Sequence, residues 1–406
     1  MKHSLNFQTT SGSICAPKGF KASALQVPIR KLKKDLALIY SEVPATVAGV
    51  FTRNRAAAAP IEVCRAQLKK SSLCSAVIIN SGNANACTGE RGLNDAWAIV
   101  RKTAETLNLP DSQVLIASTG VIGQLLPIEN MLAVIPRLAQ LLSQEGASDV
   151  AEAIMTTDLA RKELAIEFEL GGKSVRMGAV AKGSGMIAPN MATMLAFVTT
   201  DVAISQPLLQ QALSVANQKS FNRISVDGDE STNDMALVLA NGLAENAPIA
   251  ENSDEYRQFE KALEFVLTEL AKMIVRDGEG ATKFVEITVS GARSEHDAEV
   301  MARTVANSSL VKTALHGEDA NWGRILAALG YSRIDFLPEK VEIHFGDVPI
   351  LKPNFEIVLD EAKAKAALSK HDINVEINLN LGNASATFWT CDLSEKYVEI
   401  NGSYRS

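Results

Sequence analysis

The amino-acid sequence alternates short apolar runs with longer segments of helical periodicity, which limits the chain to folds that mix β-sheet and α-helix. Two such pairs in the first half are an apolar run over residues 76–79 followed by a helical segment over 94–107, and a run over 114–117 followed by a segment over 131–142. Each run ends in a loop of small and polar residues, at 80–89 and at 118–123. Because loops that follow strands often carry functional groups, both are candidate sites.

The rest of the chain continues this mixture. It predicts a hairpin turning at residues 171–172, a loop over 182–191 leading into a strand over 193–198, helices over 206–218, 256–275 and 298–314, a strand over 283–289, and hairpins around residue 346 and over 374–390 with a turn at 382–383. With 406 residues, 47% of them hydrophobic, the chain can bury a substantial core and form more than one lobe. We expect an α/β protein.

Charge, cysteine and histidine patterns argue against several classes of partner. A net charge of -7 without a long basic run gives no attraction for a phosphate backbone, so we expect no nucleic-acid partner. The five cysteines are widely spaced without a Cys-X-X-Cys pair, and the five histidines show no metal-ligand spacing. We therefore expect no disulfide framework, no metal and no cofactor.

Hydropathy gives no sign of a secretory or membrane segment. Residues 1–20 lack the unbroken apolar core of a signal peptide, and no apolar run reaches the roughly 18 residues that span a bilayer. These patterns predict a soluble protein with no membrane partner. The odd number of cysteines favours the reducing cytoplasm.

The loop before residue 193 carries the most specific chemical signal. Gly183 and Gly185 allow unusual backbone geometry there, and Pro189 fixes the chain just before an abrupt apolar strand. If the Thr193 hydroxyl attacks the carbonyl of Ala192, an N-to-O acyl shift and hydrolysis leave Thr193 with a free amino group. That amine, with a reference pKa of about 7.7 to 8.0, can act as a base for the neighbouring hydroxyl. A glycine-rich turn into a core strand explains the same residues without chemistry.

Acyl transfer also needs donors for a developing oxyanion, and Thr119 with Gly120 offers a hydroxyl and an accessible backbone N–H. A plain strand-to-helix turn is the alternative explanation of this pair. The asparagine-rich residues 80–85 are equally open, because their amides suit either substrate binding or the backbone of a turn.

Two acidic stretches complete the candidates. Residues 227–234 have the carboxylate density of a cation loop but lack the calcium-loop spacing and its terminal bidentate glutamate, so we expect no metal there. Glu279 lies between two glycines just after a long helical segment, where it can face a cleft. A solvated charge at a helix end is the alternative.

Taken in order, these segments resemble the ornithine acetyltransferase family of arginine biosynthesis, whose members are described as bifunctional glutamate N-acetyltransferase and amino-acid acetyltransferase. The matching stretches are residues 80–89 (NSGNANACTG), 118–123 (STGVIG), 155–158 (MTTD), 182–195 (KGSGMIAPNMATML), 226–234 (VDGDESTND), 275–283 (VRDGEGATK), 321–326 (NWGRIL) and 401–406 (NGSYRS). Their order along nearly the whole chain makes the resemblance highly specific.

The resemblance implies a fold and a maturation step. The fold is a layered α/β sandwich of the self-cleaving N-terminal-nucleophile-like type, with a smaller C-terminal α/β lobe. One chain cuts itself between Ala192 and Thr193 into an α piece (1–192) and a β piece (193–406). The pieces stay together and form an α2β2 heterotetramer.

The resemblance also implies the reaction. Thr193 takes the acetyl group of N2-acetyl-L-ornithine and passes it to L-glutamate through an acetyl-enzyme. Thr119 and Gly120 match the oxyanion-hole pair. The matching substrate-binding positions are Thr156 or Thr157, with Thr157 favoured, Lys182, Thr193, Glu279, Asn401 and Ser406.

Elementary chemistry agrees with these implied roles. A Glu279 carboxylate suits the side-chain ammonium of ornithine, and Lys182 suits an α-carboxylate. One departure from the family is Glu230, where a small hydroxyl residue is usual, which puts the local hydrogen bonding of that loop in doubt.

Two other functions stay open in the sequence. An aminopeptidase or amidase on the related self-cleaving fold would let water resolve the acyl-enzyme, and a non-catalytic ligand-binding protein would keep one intact chain. The sequence also does not distinguish members that use acetyl-CoA to acetylate glutamate from those that do not.

Overall fold

The computed structural model describes residues 7–27, 29, 33–188 and 194–403, and the chain divides into two compact units. Unit 1 consists of Met1–Gly183, Asn190–Asn222 and Glu230–Ile274, and unit 2 of Ser184–Pro189, Arg223–Asp229 and Val275–Ser406. Both units contain sheet and helix, so the predicted α/β class with a C-terminal α/β part is confirmed. The pieces 1–192 and 193–406 stay a prediction, because compact units report packing and not a cut in the backbone.

Unit 1 is built on one mixed sheet. Its strands are β1 (Gln8–Thr9), β2 (Phe20–Leu25), β3 (Leu36–Phe51), β4 (Leu73–Asn83), β5 (Val114–Val121), β6 (Lys162–Leu170), β7 (Lys173–Lys182), β8 (Leu195–Thr200) and, after β9 (Ile224–Ser225) of unit 2, β10 (Met235–Ala240). They lie in the order β1-β6-β7-β8-β10-β3-β4-β5, with β2 paired to β3. The hairpin β6–β7 turns at residues 171–172 as predicted.

The helices of unit 1 are α1 (Ala59–Lys70), α2 (Gly89–Leu107), α3 (Ile128–Gln140), α4 (Ala147–Ala153), α5 (Gln206–Lys219) and α6 (Asp254–Arg276), whose last two residues belong to unit 2. Helices α1 and α2 pack against β5, α4 packs against β2, and α5 packs against β3. The apolar residues between them form one buried cluster that includes Leu36, Ile78, Ile116 and Phe197. Burial of this surface is the main stabilising term of the unit.

Two predicted loops of unit 1 are shorter than expected. Strand β4 continues to Asn83 and β5 continues to Val121, so the first residues of both loops belong to the sheet. The cause is parallel pairing, since Ser81 lies opposite Thr119 and Gly82 opposite Gly120. The strands extend over these polar and small residues because each residue pairs with one on the neighbouring strand.

The strand after the candidate cut lies inside the sheet of unit 1. Strand β8 pairs antiparallel with β7 and parallel with β10 over its whole length, and β10 pairs antiparallel with β3. The predicted strand over 193–198 is therefore confirmed from Leu195 on, with an end at Thr200. Residues 189–193 lie outside the described part of the chain.

Unit 2 contains a second mixed sheet and its own core. Its elements are β9 (Ile224–Ser225), β11 (Phe284–Ala292), α7 (Glu295–Ala306), α8 (Ser309–His316), α9 (Trp322–Gly330), β12 (Glu342–Phe345), β13 (Val348–Lys352), β14 (Glu356–Ile357), α10 (Glu361–Leu368), β15 (Asp372–Asn378), β16 (Ala384–Cys391) and α11 (Glu395–Gly402). The strand order is β14-β13-β12-β15-β11-β16-β9. A buried apolar cluster that includes Ile287, Met301 and Phe388 joins this sheet to α7.

The predicted turn near residue 346 is confirmed between β12 and β13. The predictions of one long helix over 298–314 and of a hairpin over 374–390 are wrong. The helix expected over 298–314 is two helices, because Ser308 caps α8 by accepting the N–H of Val311. Strands β15 and β16 do not form a hairpin: β11 lies between them, parallel to β15 and antiparallel to β16. A local turn signal cannot reveal a strand inserted from an earlier part of the chain. Across the described residues, no helix is both long and apolar enough to cross a membrane.

Candidate active site

Thr119 and Gly120 lie at the carboxyl end of β5, beside the matching end of β4. Gly120 has φ +132°, and a Cβ there would lie 2.3 Å from the carbonyl carbon of Gly82. No side chain fits this approach, so the glycine is required by both conformation and space. The pair thus has the close backbone approach that an oxyanion hole needs.

Buried amides hold this strand end in place. The Asn233 Nδ2 atom donates to the carbonyl oxygens of Ser118 at 2.8 Å and Ala84 at 2.6 Å, and the Ser118 hydroxyl donates to Asn80 Oδ1 at 2.6 Å. Asn83 Oδ1 also accepts the backbone N–H of Asn85. These amides satisfy backbone groups, which is the structural role left open for the asparagine-rich segment.

Lys182, at the end of β7, lies beside the same strand end. Its side chain is 3% exposed, and its Nζ donates to Thr119 Oγ1 at 3.5 Å. A hydroxyl oxygen that accepts from an ammonium keeps its own proton free to donate elsewhere. The structure therefore brings a cation and a hydroxyl donor together at the candidate oxyanion position.

Asp158 neutralises the buried cations around this position. Its Oδ1 accepts from Lys162 Nζ at 2.8 Å and from the Gly183 N–H at 2.7 Å, and its Oδ2 lies 3.9 Å from Lys182 Nζ. Burial acts to raise the pKa of Asp158, but the two ammonium groups outweigh it and hold this pKa below the ordinary value. Asp158 is therefore a carboxylate at neutral pH.

The structure describes both threonines of the MTTD segment. Thr156 donates its backbone N–H to Asp158 Oδ2 at 2.9 Å and its hydroxyl to the same oxygen at 3.4 Å. Thr156 and Thr157 are both half-buried. The preference for Thr157 as the substrate-binding position stays a prediction.

Met194 and Asp234 meet directly after the undescribed segment. The backbone N–H of Met194 donates to Asp234 Oδ1 at 3.1 Å, and the N–H of Met235 donates to the carbonyl oxygen of Met194 at 3.1 Å. Asp234 is completely buried, and burial raises its pKa well above the ordinary value. The chain is thus anchored one residue beyond Thr193.

In unit 2, Glu279 and Asn401 form a second group of candidate residues. Asn401 Nδ2 donates to Glu279 Oε2 at 2.8 Å, and the Glu279 N–H donates to the carbonyl oxygen of Ser184 at 2.8 Å. Glu279 is 9% exposed, which contradicts the alternative of a solvated charge at a helix end. An amide that orients a largely buried carboxylate leaves it suited to a cationic ligand.

Gly185 makes room for this carboxylate. A Cβ at Gly185 would lie 2.3 Å from Glu279 Oε2, well inside van der Waals contact. Gly185 of the KGSG segment is therefore needed because the Glu279 carboxylate lies against its backbone.

Asp227 organises the start of this segment. Its carboxylate accepts the N–H groups of Met186 at 2.6 Å, Ile187 at 2.9 Å and Asp229 at 3.2 Å. Burial raises the pKa of Asp227. Glu230, the residue that departs from the family, is exposed, and its carbonyl oxygen accepts from Asn54 Nδ2 at 3.2 Å. Within the described ranges, no group of three or more His, Cys, Asp or Glu side chains is placed to hold a metal ion.

The structure thus supports two groups of predicted residues, each within one unit. Thr119, Gly120 and Lys182 lie together in unit 1, and Glu279 and Asn401 in unit 2. Ala192, Thr193 and Ser406 lie outside the described residues.

Sequence reasoning missed Lys162, Asn233 and Asp234 as supports of these groups. Asp158 and Lys162 are four residues apart, a spacing that suggests a pair only on a helix, whereas here it bridges a turn and the start of β6. Asn233 and Asp234 lay within a quoted motif, but the motif offered no sign that they act on β5 and β8.

Comparison with known proteins places the chain in a family. The ArgJ family model matches residues 21–406. Arginine biosynthesis bifunctional protein ArgJ from Caldanaerobacter subterraneus subsp. tengcongensis is 49% identical over 399 residues, covering 97% of this chain and 99% of that protein. The protein of the same name from Symbiobacterium thermophilum is 50% identical over 399 residues, covering 98% of this chain and 99% of that protein.

A solved structure agrees with this match. A chain of arginine biosynthesis bifunctional protein ArgJ from Bacillus halodurans is 44% identical and covers 51% of this chain and 98% of its own length, with a TM-score of 0.50. The resemblance inferred from the motifs is confirmed, because the family model spans nearly the whole sequence and the relatives align over almost all of it. The chain belongs to the ArgJ family.

Proposed function

We propose that this chain is an acetyltransferase of arginine biosynthesis that moves the acetyl group of N2-acetyl-L-ornithine to L-glutamate through an acetyl-Thr193 intermediate. The observation that carries the proposal is the buried Lys182 ammonium 3.5 Å from the Thr119 hydroxyl, in a chain of the ArgJ family. The enzyme needs no cofactor for this reaction and acts in the cytoplasm. Acetyl-CoA is a second donor to test.

Maturation is a cut between Ala192 and Thr193. Strand β8 then begins the β piece yet pairs with β7 of the α piece, and β10 of the β piece pairs with β3 of the α piece. The two pieces therefore share one sheet, and backbone hydrogen bonds hold them together. The chain from Bacillus halodurans, which spans 51% of this chain, has the length expected of one such piece. Two copies of each piece form an α2β2 heterotetramer.

The reaction follows from the freed terminus. The Thr193 amine takes the hydroxyl proton as Oγ1 attacks the acetyl carbonyl, and the resulting oxyanion accepts hydrogen bonds from the Thr119 hydroxyl and the Gly120 N–H. Collapse of this intermediate breaks the bond to nitrogen, and the Thr193 ammonium gives its proton to the departing ornithine amine. The amine of glutamate then attacks the acetyl-enzyme and restores Thr193.

Charge accounts for the choice of substrate. A largely buried carboxylate at Glu279, oriented by Asn401, pairs with the side-chain ammonium of ornithine, and Lys182 pairs with an α-carboxylate. Thr157, Thr193 and Ser406 supply further polar contacts to the substrate. An apolar acyl-amino acid would leave the Glu279 charge unpaired, so the site selects against it.

Two measurements test this function. A denaturing gel with N-terminal sequencing of the smaller bands must show two pieces, the second beginning at Thr193. Incubation of the pure protein with acetylornithine must release ornithine at a rate that rises with glutamate, with N-acetylglutamate as product. Ornithine release that ignores glutamate would instead identify an amidase, and a single full-length chain without activity would identify a binding protein.

Gly185→Ala tests the role of Glu279. The added methyl group forces the Glu279 carboxylate to move, which a flexible side chain does at little expense to folding. We expect the KM for acetylornithine to rise roughly tenfold, equivalent to about 1.4 kcal/mol of lost binding, with a nearly unchanged melting temperature. Gly330→Ala is the matched control, because a Cβ there meets nothing within 4 Å. An unchanged KM in Gly185→Ala would show that Glu279 does not bind substrate.

A further inference from the structure

Tyr397 is a half-buried side chain of α11 that the acetyl-transfer mechanism leaves without a role. Its hydroxyl donates a hydrogen bond to Asp227 Oδ2 at 3.2 Å. Burial first, and the Asp227 carboxylate second, raise the pKa of the Tyr397 phenol, so the phenol keeps its proton and is the donor. This contact joins two segments of unit 2 that lie 170 residues apart in the chain.

Polar contacts hold helix α11 in place. All eight of its residues are described and none of them is buried, and a helix shorter than about 12 residues is marginal in water by itself. Just before the helix, the Ser394 hydroxyl donates to the carbonyl oxygen of Gly280. At its first residue, Glu395 Oε2 lies 3.5 Å from His316 Nε2. The hydrogen bond of Tyr397 is the next contact along the helix.

Asn401, one turn after Tyr397, continues this series of contacts. Its Nδ2 atom donates to the carbonyl oxygen of Tyr397 at 3.1 Å and to Glu279 Oε2 at 2.8 Å. An amide nitrogen carries two N–H groups, so these two bonds use both of them. The backbone of Tyr397 therefore fixes the direction from which the amide reaches the Glu279 carboxylate.

Asp227 holds the backbone on the other side of this carboxylate. The oxygen that accepts from Tyr397 also accepts the N–H of Met186 at 2.6 Å. Met186 has φ +56°, a left-handed conformation that is unfavourable for a residue with a side chain, and the hydrogen bond stabilises it. The preceding residue is Gly185, against which the Glu279 carboxylate lies.

We propose that Tyr397 and Asp227 are positioning residues that set the preference of the site for a cationic side chain. The inference rests on the proposed function, in which Glu279 pairs with the side-chain ammonium of ornithine. The contacts form a closed ring that runs from Glu279 to Asn401, Tyr397, Asp227, Gly185 and back to Glu279. The hydrogen bond between Tyr397 and Asp227 joins the two halves of this ring.

The reason is geometric. A carboxylate favours a cationic ligand over a neutral one only while it is held where the ammonium of the ligand lies. When the bond between Tyr397 and Asp227 is lost, α11 and the backbone at Gly185 can move apart, and the Glu279 carboxylate can turn towards water. Binding of a cationic side chain then weakens, whereas binding of a neutral side chain of the same shape is nearly unchanged.

Substrate discrimination in Tyr397→Phe tests the proposal. N2-acetyl-L-norleucine has the shape of N2-acetyl-L-ornithine with a methyl group in place of the terminal ammonium. The ratio of the kcat/KM values for acetylornithine and acetylnorleucine therefore measures the ion pair. We expect Tyr397→Phe to lower this ratio roughly tenfold through a higher KM for acetylornithine, with kcat within about twofold of wild type. A general loss of structure lowers both kcat/KM values equally, and an unchanged ratio would overturn the proposal.

Tyr256→Phe is the matched control. The Tyr256 hydroxyl donates to the carbonyl oxygen of Leu208 at 3.4 Å in unit 1, so this variant also loses a phenol hydrogen bond, at a site outside the ring. Its ratio should stay within about twofold of wild type. An equal fall in Tyr256→Phe and Tyr397→Phe would show that the ring has no special part in discrimination.

Asp227→Asn shows whether the two residues act through one contact. Asparagine replaces one of the two carboxylate oxygens with an NH2 group, so the acceptor shared by Tyr397 and Met186 is lost. We expect the ratio to fall roughly tenfold or more, and addition of Tyr397→Phe to this variant should change it by less than about twofold. Effects that multiply in the double variant would contradict a shared contact.

Wild-type protein separates failure of this inference from failure of the proposed function. A wild type that does not prefer acetylornithine to acetylnorleucine would refute the proposed function itself. A normal wild-type preference that persists in Tyr397→Phe would refute only the positioning role.

Discussion

Thr193→Ala leaves the chain uncut and abolishes acetyl transfer. The variant lacks the hydroxyl that attacks Ala192 and, without the cut, also lacks the free amine that acts as base, so both steps lose their reacting groups together. We expect one full-length band on a denaturing gel and a fall in kcat of roughly 10,000-fold or more for acetylornithine with glutamate. N-terminal sequencing and the ornithine-release assay check the two results on one preparation.

Two variants control this experiment. Thr193→Ser keeps a hydroxyl and should still cut itself and transfer acetyl groups, although more slowly. Thr199→Ala removes a buried threonine of β8 whose hydroxyl donates to the Ile14 carbonyl oxygen at 2.7 Å, so it should lose about 1 kcal/mol of stability while cleaving normally. Cleavage or turnover at the wild-type level in Thr193→Ala would show that another residue is the nucleophile.

Local patterns predicted most of the elements but not their neighbours. The alternation of apolar runs and helical segments located β4, β5, α2 and α3 and the long helix α6 correctly, because the strands are continuously buried and each helix has one buried face. Such local patterns could not predict the order of the strands in the sheets. Strand β11 lies between β15 and β16, although both of these strands come much later in the chain. Only long-range packing selects these partners.

The candidate site, too, could be predicted from the sequence only in part. Motif resemblance singled out Thr119, Lys182 and Glu279, whose residue types announce donors and charges. It could not single out Asp158 as the counter-ion of Lys182, because that pairing depends on how β7 ends beside a turn. The contact between Gly185 and Glu279 could not be predicted either, because two glycines in a loop do not indicate which side chain contacts them.

Buried charge explains why the MTTD segment accompanies the KGSG segment. The Lys182 side chain is 3% exposed, and burying an ammonium group without a compensating charge is unfavourable for the fold. Asp158 supplies the compensating charge and binds the Gly183 N–H that follows Lys182 in the chain. One carboxylate therefore both compensates the Lys182 ammonium and holds the backbone after it.

Asp158→Ala should consequently be among the most destabilising single substitutions in unit 1. It removes the buried carboxylate that both Lys162 and Lys182 contact, and breaking a buried pair in this way lowers the free energy of unfolding by about 3–5 kcal/mol. Asp149→Ala is the matched control, because its ion pair with Lys34 is about half exposed and should contribute at most about 1 kcal/mol. Denaturant unfolding of the two variants and the wild type measures both differences.

The pH dependence gives this prediction a second test. The pKa of Asp158 is lowered in the folded chain, so its contribution to stability is complete above the unfolded value of about 4 and is lost as the pH falls towards the lowered folded pKa. The difference between wild type and Asp158→Ala should therefore stay constant from about pH 7 to pH 5 and shrink below about pH 4. A difference no larger than that of Asp149→Ala at pH 7 would mean that water reaches the two lysines, and Lys182 would then lack the desolvated charge with which we propose that it pairs with the substrate α-carboxylate.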